Sequence, residues 1–195
     1  MALRNTIHGW GWLARAFHWI IGLMIIGLLV VGFYMVEGLG DDSDSLLLRL
    51  QLTQTHKSFG FVVFFLALLR LVWRFLNPSP KLPKGMGRIE IALAHGGHAA
   101  LYLAMIGMPI TGWLMATSSP LNDVDAYIRV PNMVFGLFDM PDPFPKGSKE
   151  VSELWGSIHG AMGWALAIVL LGHVAAALKH HFVNRDTVLR RMIRG

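Results

Sequence analysis

Cysteine is absent from the 195 residues, so the chain can form no disulfide, no thiolate-held iron–sulfur cluster and no C-x-x-C-H attachment of c-type haem. Charge is also scarce: only 15% of residues are Asp, Glu, Lys or Arg, against 54% that are hydrophobic. With a mean hydropathy of +0.50, this composition is too apolar for an ordinary soluble domain of the same length. Acids are the scarcer sign, 12 against 17 bases, and the pI is near 9.9. The bases flank apolar runs and form no separate stripe or arm, which argues against a nucleic-acid partner. Missing too are an internal repeat, a phosphate-cradling glycine loop, paired catalytic carboxylates and any Ser-His-Asp arrangement.

What remains is long and apolar. Four stretches, at about 17–36, 56–76, 93–117 and 155–178, are each long enough to cross roughly 30 Å of hydrocarbon as a helix. The expected fold is therefore all-α, a single integral membrane domain built as a four-helix bundle with lipid as its solvent. The first stretch is followed by Tyr34-Met35-Val36-Glu37 rather than a small-residue cleavage pattern, so it reads as a retained span. Orientation follows from the loops. Twelve of the 17 bases lie at the N-terminus (Arg4, Arg15), in the second connection (Arg70, Arg74, Lys81, Lys84, Arg88) and in the tail (Lys179, Arg185, Arg190, Arg191, Arg194). Ten of the 12 acids lie in the first connection (Glu37, Asp41, Asp42, Asp44) and the third (Asp123, Asp125, Asp139, Asp142, Glu150, Glu153). The positive-inside rule then places both termini in the cytoplasm. The third connection, 118–153, carries Pro120, Pro131, Pro141, Pro143 and Pro145, which predicts an irregular external cap with a short turn near Val134-Phe135. Trp10, Trp12, Trp19, Trp73, Trp113 and Trp155 lie near span ends, where indole rings favour the water–lipid interface. Gly107, Pro109 and Gly112 in the third span suggest a kink or a close helix contact.

A coordinating side chain inside a span is costly and marks function by default. His18 opens the first span on the inner side and His56 opens the second on the outer side. The fourth span runs inward, placing His159 outside and His173, fourteen residues and about 21 Å further on, inside. Depth pairs His18 with His173 and His56 with His159. Fourteen residues are close to four helical turns, so His159 and His173 share a face of one helix at two levels. Four residues beyond each histidine the side chain is small: Gly22, Gly60, Gly163 and Ala177. Small residues there leave the clearance that a flat macrocycle needs beside its axial ligand. Together these features point to two haems b, each between two histidines, a ligation suited to electron transfer. The alternatives are four satisfied structural histidines, or a histidine-lined metal site. A metal transporter would more often place Asp or Glu within its spans, whose interiors here contain none.

A second histidine group, His95, His98, His180 and His181, lies at the inner ends of the third and fourth spans. It reads either as hydrated interfacial side chains or as a protonatable quinone pocket, with His98 the first choice as a site residue. Arg70 is a candidate to neutralise haem propionates, whereas Arg74 is as well explained by snorkelling to lipid phosphate.

Several segments together resemble one known family. Arg15-Ala-Phe-His18-Trp19, His56-Lys-Ser-Phe-Gly60, Arg70-x3-Arg74 followed by Asn77-Pro-Ser-Pro80, Ala94-His-Gly-Gly-His98, and Trp155-x3-His159-x13-His173 ending in Lys-His-His181 are similar to the bacterial cytochrome b561 family. The likeness runs from about residue 10 to the C-terminus and weakens in the loop 118–153. It implies a di-haem protein of the bacterial inner membrane with His18, His56, His159 and His173 as axial ligands to haem iron. It also implies, for one type of member, oxidation of superoxide at the periplasmic face and reduction of ubiquinone. Lys57, Arg129, Lys146 and Lys149 would then be the steering charges for an anion, although the external loops are net acidic. The wider superfamily implies an alternative: a cytochrome b carrier subunit that docks a dehydrogenase, a hydrogenase or a soluble cytochrome as its redox partner protein.

Overall fold

The computed structural model describes residues 2–195 except 84, 124, 126–128 and 145; Lys84 and Pro145, placed above in the basic connection and the proline-rich loop, lie outside the described residues. Five α-helices are described: α1 (Trp12–Phe33), α2 (Ser43–Leu76), α3 (Arg88–Thr117), α4 (Lys149–Phe182) and a short α5 (Val188–Arg194). A two-residue hairpin, β1 (Met133–Val134) with β2 (Phe138–Asp139), lies between α3 and α4. The first four helices are long and apolar enough to cross a membrane, and only 11% to 17% of the residues in their most apolar stretches are buried within the protein. Leu23, Val30, Phe65, Leu69, Leu103, Ile168 and Leu171 are all exposed. A soluble protein would bury such a set, so lipid must cover them. The all-α, four-helix membrane fold expected from the sequence is the observed one.

The helices outrun the apolar stretches. α2 begins at Ser43, thirteen residues before His56, because Asp42 caps it: Ser45 donates its backbone N–H and its hydroxyl to the Asp42 carboxylate, at 3.0 and 2.6 Å. The same two bonds hold that carboxyl below its ordinary range. Ahead of α2, the chain leaves α1 through a π-helical turn, Tyr34–Gly38. Arg49 closes this connection by donating to the carbonyls of Met35, Leu39 and Gly40 at 3.0 to 3.1 Å. α4 likewise starts at Lys149, so the irregular part of the third connection is shorter than expected. The turn expected near Val134-Phe135 is the tip of the hairpin. Phe135 adopts φ +50° there, a conformation unfavourable for a bulky residue. Its backbone N–H is held by the Ser58 hydroxyl at 2.9 Å, and its ring packs edge-on against Phe59 at 5.2 Å.

The chain divides into two compact units, and each of the four long helices contributes one segment to each. The first comprises Met1–Leu23, Phe65–Ala104 and Ala165–Gly195; the second comprises Met24–Phe64 and Met105–Trp164. In the first, α5 was not expected from the sequence. It is docked by Arg15 donating to the Ile193 carbonyl at 2.8 Å and by the Trp19 indole donating to Met192 at 3.0 Å. In the second, the Trp113 indole donates to the Pro141 carbonyl at 3.0 Å. Two of the tryptophans assigned to interfacial anchoring therefore also fasten the flanking segments.

Candidate functional site

Each unit holds one of the histidine pairs expected from depth. In the first, His18 on α1 and His173 on α4 face each other with ring centroids 6.1 Å apart. In the second, His56 on α2 and His159 on α4 are 6.3 Å apart. An imidazole nitrogen ligates a metal at about 2 Å, so two rings sharing one ion on opposite sides have centroids roughly 6 Å apart. The rings are too far apart to hydrogen-bond each other, and His18 and His56 each bury an Nδ1 with no hydrogen-bond partner among the described residues. Buried nitrogens left so are rare without a reason. Around them the helices keep space open: a side chain at Gly22 or Gly60 would meet no atom within 4 Å, and one at Gly163 only the Met108 methyl at 3.8 Å. The donor chemistry, the ring spacing and the empty glycine faces all fit a haem held between two imidazoles.

The second pair is closely buttressed. A Cβ on Gly112 of α3 would lie 3.0 Å from the His159 ring, and one on Gly32 of α1 would lie 3.4 Å from the His56 ring. Glycine at these positions lets two neighbouring helices close on the imidazoles. Gly107 does the same against Met162, where a Cβ would approach to 2.8 Å. Of the two readings of Gly107, Pro109 and Gly112, close helix contact is the one these distances support. Thr111, 7% exposed, lies 3.0 Å from His159 Nδ1 through its hydroxyl. Sequence reasoning missed Thr111 and Gly32. On α3 the sequence marked Gly112 for a close contact, but a threonine within a span carries no pattern of its own to mark it as a partner of His159.

The first pair has polar company. The His98 ring lies edge-on to His173 at 5.4 Å, so the structure brings this candidate to the site. Its Nδ1 is 2.6 Å from the Ala94 carbonyl; a carbonyl only accepts, so Nδ1 carries the proton and Nε2 keeps its lone pair. His95 makes the corresponding bond to Ile91 at 2.9 Å and is exposed. Arg70 donates from Nε to the Tyr102 hydroxyl at 3.1 Å. The Arg70 and Arg74 guanidinium carbons lie 5.8 and 5.6 Å from the centroid of the same ring. Arg74 thus stacks on Tyr102, a fixed position that snorkelling alone did not anticipate. His180 is drawn elsewhere: buried, it meets Asp186 at 2.5 Å and Asn184 at 3.3 Å, and Asp186 in turn accepts from Val188 at the start of α5. That geometry ties the tail together. Among the described residues, no group of three or more His, Asp or Glu is placed to hold a metal ion, so His98 is a neighbour of the pair and not a third ligand.

The expected steering charges do not form a free patch. Arg129 pairs with Asp142 at 3.1 Å, Lys146 with Asp125 at 3.8 Å and Lys149 with Glu153 at 3.8 Å. Lys57, next to His56, is half-buried.

The sequence matches the prokaryotic cytochrome b561 family over residues 9–195. It is 29% identical over 194 residues to cytochrome b561 homolog 2 of Escherichia coli (strain K12), covering 99% of this chain and 95% of that protein. It is 24% identical over 176 residues to the probable superoxide oxidase CybB of Yersinia pestis, covering 90% of each. With cytochrome b561 homolog 1 of Escherichia coli (strain K12) it shares 24% identity over 177 residues, 90% of this chain and 92% of that one. With two facing histidine pairs carried by three of its four apolar, membrane-length helices and a match over nearly its whole length, this chain belongs to the prokaryotic cytochrome b561 family, membrane proteins of bacterial electron transport for which haem b is the expected cofactor.

Proposed function

We propose that the chain binds two haems b, one between His18 and His173 and one between His56 and His159, and carries electrons from superoxide on the periplasmic side to ubiquinone. The observation that carries the electron-transfer reading is the spacing of the two pairs, 6.1 and 6.3 Å between centroids. Bis-histidine haem supplies a one-electron carrier with no open position for oxygen. Two superoxide ions give up one electron each and leave as O2; ubiquinone takes both electrons and two protons to become the quinol. By the positive-inside rule, the basic N-terminus, second connection and tail support a cytoplasmic position for the His18/His173 pair, with both termini inside. His98 is the group there with a free Nε2 lone pair, suited to pass protons to a quinone. Arg70, its Nε committed to Tyr102, keeps its terminal amino groups for a propionate carboxylate.

The choice of superoxide rests on likeness to a protein named as a probable superoxide oxidase, at 24% identity. One observation favours a second reading, a carrier that docks a protein donor. The bases of the α3–α4 loop are committed to acids, so the loop offers little free positive charge to a small anion and a net acidic surface to a cationic partner. Purified protein decides between them. A reduced-minus-oxidised spectrum should show a haem b α-band with two haems per chain, and superoxide should drive quinol formation well above the rate without protein. Two haems with no such acceleration would remove superoxide and leave the docking reading; no α-band would end both.

A further inference from the structure

The Nδ1 atoms of His18, His56 and His159 are not treated alike. Nδ1 of His18 and of His56 is buried with no hydrogen-bond partner among the described residues. Nδ1 of His159 faces the Thr111 hydroxyl at 3.0 Å. Thr111 itself donates to the Met108 carbonyl at 3.0 Å. A hydroxyl has one proton, so with that proton on Met108 its oxygen can only accept from the imidazole. Thr111 therefore requires the proton on Nδ1, which leaves the Nε2 lone pair as the metal-binding position.

We propose that Thr111 is the positioning residue of the His56/His159 centre: it fixes the His159 tautomer and orientation and, by accepting from Nδ1–H, makes Nε2 a stronger donor to iron. The inference rests on the ligand assignment above. A hydrogen bond to the far nitrogen raises the basicity of a ligating imidazole. A stronger donor favours ferric over ferrous iron, so the bond lowers the reduction potential of this centre. Burial makes the arrangement durable: at 7% exposure, water cannot take the hydroxyl's place. Among the described residues no such partner faces Nδ1 of His18 or of His56, so the effect acts through His159.

The test is a potentiometric titration of the purified haem-loaded protein, wild type against Thr111→Val and Thr111→Ser. Valine keeps the shape and removes the acceptor; serine keeps the acceptor. The expected result with valine is an upward shift of one centre, about tenfold in its reduction equilibrium, which is ~59 mV for one electron, while the other centre stays put and serine follows wild type. Loss of one haem in the valine variant and its retention in the serine variant supports the same conclusion. If valine does not accumulate, Thr111→Ala removes the hydroxyl without adding bulk and carries the same expectation. Unchanged potentials in the variant lacking the hydroxyl, or equal shifts with serine and valine, would overturn the proposal. Failure of the ligand assignment looks different: His159→Ala would then leave wild-type protein and variant with the same haem content.

Discussion

Around His56 and His159 the near neighbours are Gly32, Gly112 and Thr111; around His18 and His173 they are His98, with Arg70, Arg74 and Tyr102 on the helices between. One set carries no charge and makes steric contact. The other is rich in groups that hold or move protons and bind anions. Helix closure against an imidazole fixes its position but gives nothing to exchange, as suits a centre that only passes electrons. A site that turns over a quinone needs protons in step with electrons, and histidine supplies them near neutral pH. On the proposed function, the division of labour follows from these surroundings, because the two histidine pairs are alike in spacing.

Removing a ligand is the largest break available. His159→Ala should leave one haem per chain instead of two, read as pyridine haemochrome against polypeptide, with the α-band of the His18/His173 centre intact. His173→Ala should do the reverse. Retention of two haems in either variant, or loss of both in each, would mean that the pairs do not bind independently.

Next in size is the proton-handling side. His98→Ala removes a ring 5.4 Å from His173 without removing a ligand. Haem content should be unchanged and quinone reduction slower by about a hundredfold, the typical contribution of general acid–base catalysis. His95→Ala, on a ring bonded to its own helix and without the contact that His98 makes with His173, should change the rate little. Equal effects of the two would dissolve the distinction between a site residue and an interfacial one.

The steric contacts on the other side give a smaller effect. Gly112→Ala puts a methyl 3.0 Å from the His159 ring, and Gly32→Ala puts one 3.4 Å from His56. Overpacking of this kind costs about 1–3 kcal/mol, here expected as weaker haem retention on heating, Gly112 ahead of Gly32. Gly60→Leu sharpens the point, since a Cβ there would meet no atom within 4 Å among the described residues outside its own stretch of helix. Haem loss with helix content preserved would show that the space is occupied by the macrocycle; full retention would count against the slot.

Much of this was legible in the sequence, for physical reasons. Span lengths and the depths of His18, His56, His159 and His173 follow from a helical rise and from loop charge, both local properties. The extra turns of α2 ahead of His56 were not legible from hydropathy, because an aspartate cap and the Arg49 bonds to three carbonyls support them. Thr111 and Gly32 escaped because they act across helices, and a contact between helices leaves no period in either one. α5 was missed because its docking bonds join residues as far apart as Trp19 and Met192. His180 was grouped with His98 by position, yet its ring is committed to Asp186.

The smallest effect tests where the donor is received. Arg129 is bound to Asp142 at 3.1 Å and reaches the Asn122 carbonyl at 3.3 Å, so Arg129→Gln removes a charge already neutralised by its partner. The Asp142 side chain is largely covered, so the carboxylate that the substitution leaves acts weakly on an approaching anion and the superoxide-driven rate should change by less than about twofold, with a weak salt dependence. Lys57→Gln, beside His56 and half-buried, should slow it more, and the difference between the two should shrink in high salt. The reverse order would place anion capture on the loop and make the surroundings of His56 more than a steric frame. An increase in rate with Arg129→Gln when a cationic cytochrome replaces superoxide would instead assign the loop to a protein donor, because the freed Asp142 carboxylate adds negative charge where such a partner would dock.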